Sequence, residues 1–190
     1  MKFNIQNYFL SKKKLYDCID VDAFHKCIDL ISYAIDNNKK ILTCGNGGSA
    51  HNASHAITDW QKMYQLATGK TMKSFCLNDN PGLLTAYSND LSFDDVFSGQ
   101  IKSILEPDDL LIVFSGSGNS GNIIKALETT KAMKGRTLGV LGYDGGKAIN
   151  FCDEVFHVPS FDMQICEDLH LSFIHIVMKH LCNYEINEHK

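Results

Sequence analysis

The stretch ILTCGNGGSAHNASHAITD, residues 41–59, decides the fold of this chain. It begins as a short apolar run, passes through a glycine-rich turn at residues 45–49, and continues at helical spacing. A buried strand, a glycine-rich turn and a helix N-terminus leave backbone N–H groups free to bind an anion. The stretch therefore predicts a strand, a turn and a helix, with a phosphate as the first ligand to expect.

The helix that follows the turn carries His51, His55 and Asp59 at steps of four residues. Side chains at this spacing lie on one face of a helix, so two imidazoles and a carboxylate are neighbours there. The pattern favours a metal ion or an acid–base pair beside a phosphorylated substrate. The alternative is that each of the three is an ordinary solvated or core side chain.

Composition excludes several classes of protein. The chain has 190 residues and a net charge of −4, and Arg136 is its only arginine, so no basic patch suggests nucleic acid. Seven cysteines without CxxC or zinc-finger spacing fit reduced, buried thiols and a cytoplasmic protein. No apolar run reaches the roughly 18 residues of a membrane span, and no cleavable leader is expected. We expect one domain, with N-terminal helices at 1–38 and an α/β core at 39–190.

Hydrophobic periodicity predicts two helices between Asn4 and Asn38, with a break near residues 20–22. Beyond them, apolar runs alternate with helical patterns. The predicted strands are 41–44, 74–77, 110–114, 137–141 and 154–158, and the later predicted helices, besides the one after the first turn, are 83–87, 93–105, 123–133 and 161–184. This alternation predicts a doubly wound, parallel, five-stranded sheet of flavodoxin-like type, flanked by helices. Ligands of such sheets bind beyond the carboxyl ends of the strands.

A second glycine-rich loop, FSGSGNSGN at residues 114–122, also joins a predicted strand to a helix. Its hydroxyls and backbone amides can surround a phosphate without a lysine. One loop of this kind is usually an ordinary turn, but two at strand-to-helix junctions favour a phosphate site. Neither loop matches GxxxxGK(S/T) or GxGxxG, which argues against nucleotide triphosphates and dinucleotides.

The closing helix adds a second set of possible metal ligands, namely Glu167, Asp168, His170 and His175. Histidine and carboxylate from two helices supply the four ligands that zinc accepts. Solvated faces and core histidines are the alternative for any single residue. Cys44 ends a buried strand and is interpreted as a packing residue rather than a nucleophile.

Several motifs together resemble the sugar isomerase (SIS) domain family, and within it the phosphoheptose (sedoheptulose 7-phosphate) isomerases. They are CGNGGS at 44–49, His55, SND at 88–90, SGNS at 117–120, and the pair His170 and His175. The resemblance implies a homotetramer with active sites between subunits and one zinc per subunit. It implies a ketose–aldose isomerase that converts sedoheptulose 7-phosphate to D-glycero-D-manno-heptose 7-phosphate through an enediol, for lipopolysaccharide or capsule.

The resemblance also assigns roles to individual residues. The implied metal ligands are His55, Asp59, Glu167 and His175, and the implied catalytic residues are Asp59 and His175. The implied substrate-binding residues are Asn46, Gly47, Ser49, Asp90, Ser115, Gly116, Ser117, Ser120 and Glu167. The family pattern gives His51 no role.

The chain departs from the family pattern at two of the implied ligands. Asp59 stands where the family has Glu, and Glu167 stands where it has Gln, so the site has an additional negative charge. Such a ligand set suits zinc and also manganese or iron. Two other functions stay open: a phosphosugar-binding or replication-associated scaffold without catalysis, and an isomerase of another ketose phosphate.

Overall fold

The computed structural model describes residues 4–184. Its strands are β1 (Ile41–Gly45), β2 (Ser74–Cys76), β3 (Leu110–Ser115), β4 (Arg136–Leu141) and β5 (Glu154–His157). All neighbouring strands are parallel, in the order β2-β1-β3-β4-β5. The predicted five-stranded, flavodoxin-like sheet is therefore confirmed. The strand order reverses between β1 and β3, which is where such sheets bind ligands.

Within the described residues, seven α-helices surround the sheet: α1 (Ile5–Tyr16), α2 (Val21–Asp36), α3 (Gly48–Thr68), α4 (Pro81–Asp90), α5 (Asp95–Ile104), α6 (Gly121–Ala132) and α7 (Met163–Leu181), with a short 3₁₀ helix at Ala148–Phe151. Helices α2, α3 and α7 cover one face, and α5 and α6 cover the other. No helix within residues 4–184 is long and apolar enough to cross a bilayer.

The central strand shows why the sheet is buried on both faces. Leu110, Ile112 and Phe114 of β3 pack with one apolar cluster, while Leu111 and Val113 pack with the other. Alternate residues of a strand point to opposite faces, so both sets must be apolar when helices cover both sides. The unbroken apolar runs in the sequence are explained by this arrangement.

The ends of the closing helix differ from the predicted range 161–184. Asp162 caps α7 by accepting hydrogen bonds from the N–H groups of Gln164 and Ile165. At the other end Asn183 has φ +51°, and the N–H of Tyr184 donates to the Lys179 carbonyl, as in a Schellman motif. Helix α4 begins at Pro81, two residues before the predicted range 83–87, because the fixed φ of proline is favourable in the first turn of a helix.

The N-terminal helix α1 lies along α7 although none of its residues is fully buried. The Tyr8 hydroxyl and the Lys12 ammonium donate to Asp168 at 2.6 Å and 2.8 Å. One turn further, the hydroxyls of Tyr16 and Ser172 lie 2.7 Å apart. Polar contacts of this kind hold the predicted N-terminal extension against the helix that carries Glu167 and His175.

All seven cysteines lie within the described residues and are free thiols. Cys44 is completely buried at the end of β1, and burial raises its pKa well above the usual value. A thiol in that state is neutral at physiological pH and a poor nucleophile. The structure thus supports the interpretation of Cys44 as a packing residue.

Candidate active site

A cavity of about 270 Å³ opens at the carboxyl edge of the sheet, where the loops after β1 and β3 meet. It is lined by both glycine loops and by the first turn of α7, through Asn46, Gly47, Gly48, Ser49, Phe114, Ser115, Gly116, Ser117, Ser120, Met163 and Glu167. All the predicted substrate-binding residues except Asp90 are among them. The cavity lies at the position where the strand order predicts a ligand.

The glycines of the first loop cannot be replaced by larger residues without a change in the backbone. Gly47 precedes α3 with φ +56°. A Cβ on Gly45 would collide with the backbone of Ser49, so the chain folds back tightly on itself. Asn78 holds Gly45 from the side, accepting from its N–H at 3.1 Å and donating to its carbonyl at 2.9 Å. The first turn of α3 therefore opens into the cavity, and helix N–H groups are suited to bind an anion there.

The second loop is held by a hydrogen bond within it and by contacts with the loop after β4. The Ser115 hydroxyl accepts a hydrogen bond from the Gly118 N–H at 3.0 Å. Gly118 has φ +62° and packs directly on the carbonyl of Gly145, in the loop after β4. Asn119 accepts from the Lys147 N–H at 3.1 Å, which adds a second link to the loop after β4.

Four serine hydroxyls in the cavity keep donor capacity for a ligand. Within the described chain, those of Ser49 and Ser120 make no hydrogen bond, while those of Ser115 and Ser117 only accept. A serine hydroxyl is one donor and two acceptors. All four can donate to a phosphate, and no lysine or arginine of the described residues lines the cavity. The arrangement suits an anion bound by hydroxyls and backbone amides.

Two turns further along α3 and α7, a second group of polar side chains meets. His55 Nε2 lies 3.1 Å from His175 Nε2. One ligand atom from each of His55, Asp59 and His175 lies within 4.8 Å of the others. The helices are fixed to each other by the Trp60 indole, which donates to the Ile174 carbonyl at 2.8 Å. The structure thus brings together three of the four predicted metal ligands.

The chemistry of this group fits a divalent cation. Oδ2 of Asp59 is buried and has no hydrogen-bond partner among residues 4–184. A buried carboxylate oxygen is costly unless a donor or a cation compensates for it. Two imidazoles and a carboxylate are also the protein ligands of a catalytic metal site with one position open for substrate.

Glu167, the fourth predicted ligand, lies outside the group of three. Its carboxylate packs on Gly48, so a Cβ at Gly48 would collide with it. The side chain therefore lines the cavity at the start of α3. Eight residues separate Glu167 from His175, which corresponds to about 12 Å along a helix axis. The cavity and the His55–Asp59–His175 group thus lie about two turns apart on the same two helices, as the two ends of the candidate site.

Three other candidates lie away from these two ends. Asp90 is exposed on α4, where it accepts from the Asn89 side chain at 2.8 Å, and it does not line the cavity. His51 Nδ1 lies 3.1 Å from the Gly47 carbonyl, outside the group of three. His170 is completely buried behind Phe114, and burial lowers its pKa to about 4.

Sequence reasoning missed Gly48, Met163 and Asn122. Gly48 and Met163 line the cavity, whereas Asn122 forms two hydrogen bonds with Asn46. Asn122 belongs to the quoted loop sequence, but no periodicity identifies its partner. The signal available was that Asn122 is a polar residue that lies in the first turn of a helix and must be buried.

A larger cavity, of about 480 Å³, lies at the opposite edge of the sheet, at the amino ends of β4 and β5. It is lined by Lys26, Asp29, Leu30, Tyr33, Arg136, Asp153 and Glu154. Three carboxylates oppose the binding of a phosphate there, and helix N-termini do not line it. We therefore assign the candidate active site to the smaller cavity at the carboxyl edge.

Comparison with known proteins agrees with this site. Residues 11–142 match the SIS domain family. The phosphoheptose isomerase of Helicobacter pylori (strain ATCC 700392 / 26695) is 36% identical over 156 residues, 82% of this chain and 81% of that protein. That of Clostridium acetobutylicum is 34% identical over 87% of this chain and 84% of that protein.

The structural comparison gives the same result. The solved phosphoheptose isomerase of Neisseria gonorrhoeae superposes with a TM-score of 0.87 at 28% identity, covering 94% of this chain and 97% of that one. The chain is an SIS-domain protein, and its candidate site lies at the switch point of the sheet. It belongs, within that class, to the phosphoheptose isomerase family.

Proposed function

We propose that the protein converts sedoheptulose 7-phosphate to D-glycero-D-manno-heptose 7-phosphate. The observation that carries the proposal is the meeting of His55, Asp59 and His175 two turns beyond an anion-binding cavity on the same two helices. A seven-carbon sugar phosphate has its phosphate and its carbonyl at opposite ends, as this site requires. Membership of the phosphoheptose isomerase family supports the same substrate.

The cavity binds the phosphate and orients the sugar chain. The hydroxyls of Ser49, Ser115, Ser117 and Ser120 donate to the phosphate oxygens, together with backbone N–H groups at Gly47 and Gly116. Asn46 and Glu167 contact sugar hydroxyls between the two ends. Asp90 contacts a sugar hydroxyl only from another subunit, since it is remote from the cavity of its own chain.

Proton transfer takes place at the other end. Asp59 removes a proton from C1, next to the C2 carbonyl, and His175 supplies a proton to the carbonyl oxygen, which gives the enediol. A proton is then returned to C2 and the hydroxyl proton on O1 is removed, which leaves the C1 aldehyde. His55 holds His175 in place through the contact between their Nε2 atoms.

His55, Asp59 and His175 would hold a divalent cation, and Glu167 would join them only by moving off Gly48. When bound, the cation polarises the substrate carbonyl and stabilises the oxyanion. Zinc is the ion we propose, because two imidazoles with carboxylates are ligands that it accepts. Manganese and iron also suit a site with this much oxygen charge.

The proposed assembly is a homotetramer with sites between subunits, in the cytoplasm, supplying heptose for lipopolysaccharide or capsule. The side chains of His55 and His175 are exposed in the single chain. A second subunit is then needed to exclude water from the reacting carbons. Sedimentation analysis measures the subunit number directly.

The test is incubation with sedoheptulose 7-phosphate in D₂O, followed by proton NMR. We expect the aldose to form with deuterium at C2, because the enediol is reprotonated from exchangeable groups. If the protein turned over only a different ketose phosphate, that compound would replace sedoheptulose 7-phosphate as the proposed substrate. Binding without any turnover would overturn catalysis and favour a phosphosugar-binding protein.

A further inference from the structure

Two asparagines join the glycine loops by a reciprocal pair of hydrogen bonds. Asn46 Nδ2 donates to Asn122 Oδ1 at 2.8 Å, and Asn122 Nδ2 donates to Asn46 Oδ1 at 2.8 Å. Asn46 belongs to the loop after β1, while Asn122 is in the first turn of α6, directly after the second loop. The pair therefore bridges the switch point between β1 and β3.

The pairing fixes the orientation of the Asn46 amide. A primary amide has two N–H donors and two acceptor lone pairs. Asn122 uses one of each, so one donor and one acceptor of Asn46 remain for a ligand in the cavity that Asn46 lines. An amide held in this way loses little rotational freedom when it binds, which favours affinity.

Asn122 itself is not placed to contact a ligand. Its side chain is 1% exposed, and it does not line the cavity. Other contacts hold each loop from its outer side: Asn78 holds Gly45, and Asn119 accepts from Lys147. The Asn46–Asn122 pair is the side-chain link between the two loops, and it acts on the ligand through Asn46.

We propose that Asn122 is a positioning residue for the sugar part of the phosphosugar, acting by orienting the Asn46 amide toward the sugar hydroxyls. The inference rests on the proposed function, since it requires a phosphosugar in this cavity. The phosphate is held by serine hydroxyls and backbone amides instead, so Asn122 affects binding of the sugar and leaves binding of the phosphate unchanged.

The experiment is a double-mutant cycle with Asn46→Ala, Asn122→Ala and the double variant. KM and kcat are measured with sedoheptulose 7-phosphate, and the dissociation constant of inorganic phosphate is measured by calorimetry. We expect Asn122→Ala to raise KM about tenfold, which is the scale of one or two hydrogen bonds. We expect kcat and the phosphate dissociation constant to stay within about threefold of wild type, because the lost contact is made equally in ground and transition states.

In the Asn46→Ala background, Asn122→Ala should change KM less than about twofold, because the residue through which it acts is gone. Asn122→Asp keeps the volume of the side chain and removes the Nδ2 group that donates to Asn46 Oδ1, so it gives the same test if the alanine variant does not fold. Gln100→Ala is the matched control: this buried amide donates to the Leu77 and Val96 carbonyls, outside the cavity, and KM should not change.

The inference would be overturned if Asn122→Ala raised KM equally in the wild-type and Asn46→Ala backgrounds. It would also be overturned if Asn122→Ala left KM unchanged. A parallel loss of phosphate affinity would also overturn it, since that result indicates general collapse of the loops. Turnover by the wild-type protein decides the proposed function separately. If the wild type binds sedoheptulose 7-phosphate no more tightly than inorganic phosphate, Asn46 makes no sugar contact and the positioning role is excluded.

Discussion

The Nε2 atoms of His55 and His175 lie 3.1 Å apart although 120 residues separate them in the chain. The two rings meet edge to face, at an interplanar angle of 74°. Asp59, one turn beyond His55 on the same face of α3, adds a buried carboxylate oxygen to which no described residue donates a hydrogen bond. This cluster can accept a proton, donate one and bind a cation, which are the capacities that aldose–ketose isomerisation needs.

Removing either proton-transfer group should abolish turnover while the fold is retained. We expect Asp59→Asn and His175→Gln to lower kcat about a thousandfold, which is the usual contribution of a positioned acid or base. Circular dichroism checks the fold. His180→Gln, on the same helix outside the cluster, is the control and should keep wild-type turnover. Wild-type turnover in either cluster variant would disprove the role given to that residue.

Metal content should depend on His55 and not on His51. Both are histidines on α3, one turn apart, but only His55 belongs to the cluster of three. We expect elemental analysis of purified protein to find about one divalent ion per chain in wild type and His51→Ala, and almost none in His55→Ala. Added metal should raise the melting temperature of wild type, because binding to the folded state alone stabilises it. Equal metal content in both variants would place the ion elsewhere.

The sequence predicted the parallel sheet and most of the residues that the structure brings together in the candidate site, because both depend on regular spacing. Strand β3 is apolar at its first five positions, Leu110 to Phe114, all of them buried, and His55 and Asp59 are one helical turn apart. Spacing cannot identify partners on other elements. The Asn46–Asn122 pair joins residues 76 positions apart, and the contact of Glu167 with Gly48 depends on how α7 packs on α3. Helix ends were predicted less well, since caps such as Asp162 and Asn183 decide them.

Gly118 should be far less tolerant of alanine than Gly69. Both have positive φ, at +62° and +70°, so each Gly→Ala substitution costs about 1 kcal/mol from backbone strain. A Cβ on Gly69 meets no atom within 4 Å, whereas one on Gly118 collides with the Gly145 carbonyl. We expect urea unfolding to show about 1 kcal/mol of destabilisation for Gly69→Ala with unchanged KM. For Gly118→Ala we expect about 3 kcal/mol of destabilisation and a raised KM, since the second glycine-rich loop must shift. A similar loss of unfolding free energy in both variants would contradict the close packing of Gly118 on Gly145.

Acid should destabilise the fold through His170. Its ring is completely buried, and neither nitrogen has a hydrogen-bond partner within the part of the chain that the structure describes. Its pKa is lowered from 6.5 to about 4 by burial, with a further, smaller lowering by His157. The Leu141 backbone raises the pKa, by less than burial lowers it but by more than His157 does. The unfolded chain therefore binds a proton at His170 between pH 6.5 and 4 that the folded chain does not.

Stability contributed by the neutral ring is complete above pH 6.5 and is lost as the pH falls toward 4, by up to about 3 kcal/mol. The measurement is the free energy of unfolding in urea at intervals across this range, for wild type and His170→Leu. We expect the free energy of unfolding of His170→Leu to change less steeply with pH, by the equivalent of about one bound proton. The reason is that the unfolded variant has no imidazole to protonate at this position. His157→Gln is the control: it leaves the buried ring in place, so most of the slope should remain. Parallel slopes for wild type and His170→Leu would show that another group causes the acid sensitivity.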